Sequence, residues 1–352
     1  LLERWPDALR IGVVCGPGNN GGDGYVLAEL ARASGRRVRV LRIGEQVREG
    51  PARDAAEVYL GQAGVAELFD PAAGIGEADV WVDALFGIGL GRAPDGAAAA
   101  IIDALNAQPA PVLALDVPSG LDADNGHAPG VAVRATATIT FIAGKTGLYT
   151  GRARGLTGPV RVADIGVPVD RFGGNPAEAA RLHVPARSGL LPASERTAHK
   201  GDCGRVLCIG GDHGMGGAVA LCAEAAHRLG AGLVAVATRA GHVPVLLTRR
   251  PESMPRAVET APELAPLLAT ADVVAVGPGL GQAEWGTRLH DAVIDSIAGQ
   301  DSDAGLRPVV FDADALNMLA RRDPCLLAGC VLTPHPGEAA RLLSRTVGEI
   351  ER

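Results

Sequence analysis

Short apolar runs alternate with stretches of helical periodicity as far as Asp164. Residues 10–15 form a short apolar run of strand type, and residues 25–32 are apolar at helical spacing. Further strands are expected at residues 37–44, 80–82, 112–115 and 136–141. This alternation predicts an α/β domain whose parallel sheet is covered by helices on both faces.

Helical periodicity is lost between residues 175 and 194, where prolines are scattered, and a linker is expected near residues 181–187. A second α/β pattern follows this break. Its strands are predicted at residues 205–210, 233–237, 273–276, 309–311 and 331–332, with a helix at 218–229. The sequence therefore predicts two domains, residues 1–182 and residues 183–352.

Composition and charge narrow the class of protein. Hydrophobic residues make up 47% of the 352, which is enough for sizeable cores, and a net charge of −7 makes a broad basic nucleic-acid surface unexpected. No apolar run reaches the roughly 20 residues that a membrane span needs. The six cysteines show neither a C-x-x-C pair nor a zinc-binding spacing, which predicts reduced thiols and a cytoplasmic protein.

A glycine-rich turn, G-P-G-N-N-G-G-D-G at residues 16–24, separates the first predicted strand from its helix. Strand, glycine turn and helix together aim backbone N–H groups at a bound anion. Gly16, Gly18 and Gly21 fit the G-x-G-x-x-G fingerprint of dinucleotide-binding enzymes, but the second strand ends without the carboxylate that binds the ribose. The two asparagine amides in the turn suit hydroxyls, carboxamides or hard cations. A structural turn without a ligand is the other interpretation.

Two further predicted strands end in an aspartate that is followed by a turn, Asp83 in one case and Asp116 in the other. Ligands of open α/β sheets bind beyond the carboxyl ends of the strands. Either aspartate taken alone is also compatible with a helix cap or a turn. We expect one crevice to collect six polar residues: Asn19, Asn20, Asp23, Asp83, Asp116 and Ser119.

The run Gly144-Lys145-Thr146 imitates the end of a phosphate-binding loop. Such a loop needs a glycine at the position of Ile139, so this interpretation is rejected.

In the second half, strands again end in small or acidic residues. The runs at 277–281, 312–317 and 333–338 each follow a predicted strand, which predicts a second site on a second sheet. No role is assigned to its acidic neighbours, Asp212, Asp312 and Asp314.

The run at 16–24, together with residues 83–90 and 116–122, resembles the three signatures of the NAD(P)H-hydrate epimerase family, the YjeF-type N-terminal domain. The runs G-P-G-L-G, D-A-D-A-L-N and T-P-H-P-G-E-A-A-R-L resemble the ADP/ATP-dependent NAD(P)H-hydrate dehydratases of the ribokinase-like superfamily. This resemblance to bifunctional nicotinamide-nucleotide repair enzymes implies a Rossmann-like three-layer α/β domain followed by a ribokinase-like α/β domain. The family continues with a lysine-bearing strand and a G-G-x-G-D-V-L turn, so we expect the second domain to be incomplete at Arg352. We also expect residues before Leu1, because the initiator Met is absent.

The resemblance implies NADHX and NADPHX as substrates, reduced nicotinamides hydrated at C6 of the ring that occur as R and S epimers. The first domain would interconvert the epimers, and Asp116 is our candidate acid–base catalyst. A potassium ion would be held by Asn20, Asp83 and Ser119, whose oxygens suit a hard cation. Substrate contacts are implied for Asn19, Asn20, Gly21, Gly22, Asp23, Gly87, Ile88, Gly89, Leu90, Gly91, Arg92, Ala93 and Asp116.

For the second domain, the resemblance implies that ADP or ATP with magnesium phosphorylates the C6 hydroxyl of the S epimer before phosphate leaves. Ala218 and Gly279 are expected near the dinucleotide, and His335 is expected on the damaged ring. We expect a homo-oligomer that binds neither nucleic acid nor membranes. Three alternatives stay open: an NAD(P)-dependent oxidoreductase, a ribokinase-like small-molecule kinase and a non-catalytic nucleotide-binding protein.

Overall fold

The computed structural model describes residues 1–44, 50–167, 197–298, 307–322 and 329–350. The chain divides into two compact units, residues 1–181 and residues 182–350. The linker predicted at residues 181–187, and with it the predicted boundary between residues 182 and 183, lies outside the described residues.

In the first unit, seven described strands form one sheet in which every pair is parallel, in the order β3-β2-β1-β4-β5-β6-β7. Residues predicted as strands from alternation and apolar runs occupy the centre of this sheet. The strands are β1 (Arg10–Cys15), β2 (Arg37–Arg42), β3 (Ala66–Leu68), β4 (Val80–Ala84), β5 (Val112–Leu115), β6 (Ala137–Phe141) and β7 (Val160–Ala163).

Helices cover both faces of this sheet, as predicted. Successive residues of a strand point to opposite faces, so Val13 packs in a cluster with Tyr25 and Tyr59 while Val14 packs in a different cluster with Trp81. The helices are α1 (Asn19–Ala33), α2 (Pro51–Gly61) and α3 (Gly96–Asn106), with short 3₁₀ turns at Thr146–Leu148 and Gly151–Gly155. The first unit is therefore a three-layer α/β domain.

The glycine-rich run is not a turn along its whole length, because α1 already begins at Asn19 and not near residue 25. Three of its glycines lie inside this helix, and the reason is close packing. A Cβ on Gly21 would overlap the carbonyl oxygen of Gly16, and one on Gly24 would lie 2.6 Å from the Cβ of Ala84. These glycines let the helix approach β1 and β4 more closely than other residues would allow.

In the second unit, six described strands form a second parallel sheet in the order β10-β9-β8-β11-β12-β13. Its main core includes Ile209, Val276, Leu289 and Phe311. The strands are β8 (Arg205–Ile209), β9 (Leu233–Thr238), β10 (Met254–Ala257), β11 (Val273–Val276), β12 (Val309–Phe311) and β13 (Cys330–Leu332).

The helices of the second unit follow the strands along the chain. The one predicted at residues 218–229 begins two residues earlier, at Gly216, and none of the described helices is long and apolar enough to cross a membrane. They are α4 (Gly216–Arg228), α5 (Val243–Arg249), α6 (Ala261–Thr270), α7 (Glu284–Ala298), α8 (Ala313–Leu319), α9 (Pro336–Leu342) and α10 (Val347–Ile350).

The strand order reverses between β1 and β4 in the first sheet and between β8 and β11 in the second. The loops that leave neighbouring strands at such a point run to opposite faces, which opens a crevice at the carboxyl edge of the sheet. Each unit therefore has one position in its topology where a ligand site is expected.

Candidate active site

A cavity of about 440 Å³ lies in the first unit, at the carboxyl ends of its central strands. Residues that follow β1, β4, β5 and β6 all contribute to it. Its lining consists of Pro17, Gly18, Asn19, Asn20, Asp23, Leu85, Phe86, Gly87, Ile88, Gly89, Asp116, Phe141, Ile142 and Lys145. Four of the six residues predicted to share one crevice line this cavity: Asn19, Asn20, Asp23 and Asp116.

Asp116 lies directly after β5 with a φ of +63°, in the left-handed region that few residues other than glycine adopt. Its N–H donates to the carbonyl oxygen of Ile139 at 2.7 Å, which fixes the backbone against β6. The Oδ1 atom accepts from Lys145 Nζ at 2.7 Å and from Thr140 Oγ1 at 3.3 Å. The side chain is 14% exposed, so a largely buried carboxylate reaches the cavity.

The other carboxylate oxygen of Asp116 faces Gly87. A Cβ on Gly87 would lie 2.9 Å from Asp116 Oδ2 and 3.6 Å from the Cβ of Asn20. Only a residue without a side chain leaves this space open. The two oxygens of Asp116 thus have different surroundings, one in hydrogen bonds and one beside a glycine in the cavity wall.

Asp83 and Ser119 lie behind Leu85 and Phe86 and do not line the cavity. Ser119 donates to Asp83 twice, from its hydroxyl at 2.6 Å and from its backbone N–H at 2.8 Å. Leu85 N–H adds a third hydrogen bond at 3.2 Å. Complete burial raises the pKa of Asp83 to about 6, and these hydrogen bonds limit the rise.

Asn20 joins the same group through Phe86. Its Nδ2 donates to the Phe86 carbonyl oxygen at 2.9 Å, while the Phe86 N–H donates to Ser119 Oγ at 2.9 Å. The Oδ1 atom of Asn20 is buried and has no hydrogen-bond partner among the described residues. A buried acceptor without a donor is costly, and a bound cation would satisfy it.

Asp23 lies in the second turn of α1 and faces the same cavity as Asp116. The residue as a whole is exposed, but its carboxyl is partly enclosed by the cavity. Desolvation, and after it the negative charge of Asp116, raises the pKa of Asp23 above its usual value.

Several residues predicted to contact the substrate are not part of the cavity lining. Gly21 and Gly22 are buried inside α1, where a Cβ on Gly22 would lie 2.8 Å from the Cα of Ala52, so their described role is helix packing. The lining of the cavity does not include Leu90, Gly91, Arg92 or Ala93.

Sequence reasoning missed Lys145, since the run that contains it was considered only as a phosphate-binding loop. The structure places its ammonium group against Asp116 in the cavity wall. The one available signal was a lysine shortly after a strand whose neighbour ends in a candidate catalytic aspartate.

In the second unit, the structure brings Ala218 and Gly279 together. Gly279 has a φ of +62°, and a Cβ there would lie 3.1 Å from the Cβ of Ala218. The Gly279 carbonyl oxygen accepts from the N–H of Asp212 at 2.6 Å, which ties the loops after β8 and β11 to each other. Both residues therefore lie at the point where the strand order reverses.

His335 lies at the start of α9 and caps that helix. Gly337 N–H donates to its Nδ1 at 3.1 Å, and its own N–H donates to Glu338 Oε2 at 3.0 Å. The side chain is 63% exposed. The described contacts of His335 are thus within its own turn and do not include Ala218 or Gly279.

The aspartates of the second unit are held by neighbouring loops. Burial acts to raise the pKa of Asp212, but the hydrogen bond from Arg239 at 2.8 Å, the hydrogen bond from the His213 backbone and the positive charge of Arg239 together outweigh it, so this pKa lies below its usual value. Thr333 donates to Asp312 at 2.8 Å, and Gly281 N–H donates to Asp314 at 2.9 Å.

A cavity of about 550 Å³ in the same unit does not include Ala218, Gly279 or His335 in its lining, although Asn317 from the predicted run 312–317 belongs to it. It is lined by Gln282, Asn317, Ala320, Arg321 and Arg341.

Two family models match the chain in succession. Residues 1–147 match the YjeF-related protein N-terminus, and residues 206–351 match NAD(P)H-hydrate dehydratase. The bifunctional NAD(P)H-hydrate repair enzyme Nnr of Coxiella burnetii is 44% identical over 354 residues, which cover 100% of this chain and 70% of that protein. The enzyme of the same name from Escherichia coli is 44% identical over 353 residues, which cover 99% of this chain and 65% of that protein.

A solved structure of the ADP/ATP-dependent NAD(P)H-hydrate dehydratase from Bacillus subtilis, co-crystallised with ATP/Mg²⁺, is 29% identical. The alignment covers 47% of this chain and 57% of that one, with a TM-score of 0.39. Both family models and the full-length matches confirm the resemblance seen in the motifs. This chain belongs to the family of bifunctional NAD(P)H-hydrate repair enzymes.

Proposed function

We propose that the first unit interconverts the R and S epimers of NADHX and NADPHX at the cavity beside Asp116. The observation that carries this proposal is the Asp116 carboxylate itself, held in a strained backbone position with one oxygen in hydrogen bonds and the other facing the cavity. The family membership supplies the substrate.

Interconversion at C6 requires a bond to that carbon to break and form again, with a proton moved to or from its oxygen. A carboxylate beside the ring can hold that proton, and general acid–base catalysis of this kind contributes roughly 10²- to 10⁴-fold to the rate. Asp116 Oδ2 is the atom assigned to this role, because Oδ1 is engaged by Lys145 and Thr140.

Asn19, Asn20 and Asp23 from α1, with the loop that begins at Gly87, would hold the dinucleotide. Amide groups and the N-terminal end of a helix suit its carboxamide and phosphates. Leu90, Gly91, Arg92 and Ala93 follow the lining residues Gly87, Ile88 and Gly89 along the chain, and their contact with the substrate stays a prediction.

A potassium ion would be held by Asn20, Asp83 and Ser119. The support for this site is the buried, unpartnered Oδ1 of Asn20, connected through Phe86 to the other two side chains. Bound potassium would supply positive charge beside the substrate pocket, and it would favour the ionised form of Asp83.

The second unit would contribute to the ADP- or ATP-dependent dehydration of S-NAD(P)HX with magnesium, in the whole protein. Ala218 and Gly279, which meet at the reversal of strand order, are the described residues that support this assignment. The position of His335 on the damaged ring stays a prediction.

The described cysteines are free thiols, which supports a cytoplasmic location. The homo-oligomer stays a prediction as well.

The test is a mixture enriched in one NADHX epimer, whose approach to equilibrium is followed by chromatography with the full chain and no nucleotide. Asp116→Asn should slow the approach by about 100-fold or more. Asp103→Asn, an exposed change on α3, is the matched control and should leave the rate unchanged. An inactive wild-type chain with the native fold, or an unchanged rate for Asp116→Asn, would contradict the proposal.

A further inference from the structure

Lys145 follows β6 and points its ammonium group at three oxygens. The distances from Nζ are 2.7 Å to Asp116 Oδ1, 2.7 Å to Thr140 Oγ1 and 2.7 Å to the carbonyl oxygen of Phe141. An ammonium group has three N–H donors, so this contact set uses all of them. The side chain is 19% exposed, although lysine is among the residues that are most often on the surface.

This contact set fixes the orientation of the Asp116 carboxylate. Lys145 and Thr140 both bind Oδ1, and the carboxylate is therefore held in one rotation about its Cβ–Cγ bond. That rotation directs Oδ2 towards Gly87 and the cavity. Without the ammonium group, Oδ1 would lose its shortest hydrogen bond and keep only the longer ones from Thr140 Oγ1 at 3.3 Å and from the Phe141 N–H at 3.5 Å. The orientation of the carboxylate would then be less firmly fixed.

Lys145 also sets the charge balance of the cavity. Two carboxylates, Asp23 and Asp116, face this cavity, and among the described residues that line it Lys145 is the one with a cationic side chain. A largely buried carboxylate that lacks a counter-charge is destabilised in its ionised form. The ammonium group of Lys145 supplies that counter-charge, 2.7 Å from Asp116 Oδ1.

We propose that Lys145 is a positioning residue for the epimerisation assigned to Asp116, holding Oδ1 so that Oδ2 meets the substrate as a carboxylate. This inference rests on the proposed function of the first unit. It assigns no covalent step to Lys145, which acts through Asp116.

Lys145 and Lys200 are the only two lysines in the sequence, so the second lysine can serve as the control for substitution of the first. Lys145→Met keeps the length of the side chain and removes its charge, and Lys200→Met, at an exposed position, is the matched control. Epimerisation by the full chain is measured with NADHX, together with the melting temperature of each variant. We expect Lys145→Met to lower kcat by about 100-fold, within the range of acid–base catalysis, and to leave KM within about threefold, as for a group that acts mainly in the transition state.

A second variant separates positioning from folding. Lys145→Cys carries a thiol that 2-bromoethylamine converts to an aminoethyl side chain, which restores an ammonium group at nearly the length of lysine. The treated variant should regain at least about a tenth of the wild-type kcat, since the charge–carboxylate contact is restored. Wild type and Lys145→Met treated in parallel should not change.

The outcomes separate the two proposals. If wild type interconverts the epimers and Lys145→Met does so with the same kcat, the positioning role is wrong while the proposed function stands. The positioning role is also wrong if Lys145→Cys folds, loses kcat and does not regain it after aminoethylation. If wild type itself has no activity, the proposed function fails instead.

Discussion

Ser119 donates two hydrogen bonds to the fully buried carboxylate of Asp83, one from its hydroxyl at 2.6 Å and one from its backbone N–H at 2.8 Å. The pair fixes the loops after β4 and β5 relative to each other, and Phe86, bonded to the same hydroxyl, connects them to Asn20 on α1. The buried Asp83–Ser119 pair thus links three segments beside the cavity: the loop after β4, the loop after β5 and the start of α1.

This pair predicts an unusual pH dependence in the absence of potassium. Burial raises the pKa of Asp83 from 3.8 to about 6, so the folded state holds a proton that the unfolded chain has already released. The stabilising effect of this group is therefore fully present below about pH 4 and is lost as the pH rises through about 6. The free energy of unfolding of wild type, measured by urea titration relative to Asp83→Asn, should fall by roughly 2–3 kcal/mol over this interval. If the difference in free energy of unfolding between wild type and Asp83→Asn did not change with pH, Asp83 would not titrate in this way.

Potassium should reverse that loss. A cation that binds the ionised Asp83 and Asn20 Oδ1 stabilises only the folded state, by about 2.7 kcal/mol at a concentration 100 times its dissociation constant. We expect potassium chloride to raise the melting temperature relative to choline chloride, and to do so more strongly near pH 8 than near pH 5 because protonation of Asp83 competes with the cation. Asp83→Asn and Asn20→Ala should lose the effect, whereas Asp103→Asn should keep it.

Gly87→Ala should reduce activity more than stability. The new Cβ would lie 2.9 Å from Asp116 Oδ2, which must shift away from the cavity. A displacement of about 1 Å at a reacting group can cost 100-fold in rate, and we expect a loss of at least about tenfold in the kcat of epimerisation. Gly61→Ala, at the exposed end of α2 and outside the cavity lining, is the matched control, because nothing lies within 4 Å of its new Cβ. Equal rates for the two variants would contradict the placement of Oδ2.

Gly21→Ala should instead destabilise the fold. Its Cβ would overlap the carbonyl oxygen of Gly16, and relief requires α1 to move away from β1. Overpacking of this kind costs about 1–3 kcal/mol in the free energy of unfolding. The comparison is Gly155→Ala, an exposed position whose Cβ meets nothing within 4 Å and whose unfolding midpoint should stay near that of wild type. Chemical denaturation of both variants measures the difference.

Much of the site could be predicted because it depends on strand ends. Asp83 and Asp116 follow apolar runs in the sequence, and parallel strands bring their carboxyl ends to one edge whatever their separation along the chain. The second strand, β2, ends at Arg42 without a carboxylate, which argued against a dinucleotide-binding oxidoreductase, and the family match agrees with that argument.

The remaining features depend on distances that no local pattern contains. The pairing of Lys145 with Asp116 joins residues 29 positions apart through a turn after β6, and its glycine–lysine–threonine run is also found in unrelated phosphate-binding loops. The start of α1 at Asn19 could not be predicted from the sequence, because glycine has a low intrinsic helix propensity. Glycine is needed in this part of the helix because the helix packs closely against Gly16 and Ala84. In both cases tertiary contacts overrode a local signal.

The left-handed backbone of Asp116 and its contact with Lys145 have opposite effects on stability. Glycine adopts this conformation without strain, and strain of this kind in another residue costs about 1–3 kcal/mol. Asp116→Gly relieves that strain but leaves the largely buried Lys145 ammonium group without its counter-charge, and breaking a buried ion pair in this way costs about 3–5 kcal/mol. A library of this gene screened only for yield or heat resistance would therefore enrich glycine at position 116 only together with an uncharged residue at position 145, and such double variants would lack the proposed catalytic carboxylate.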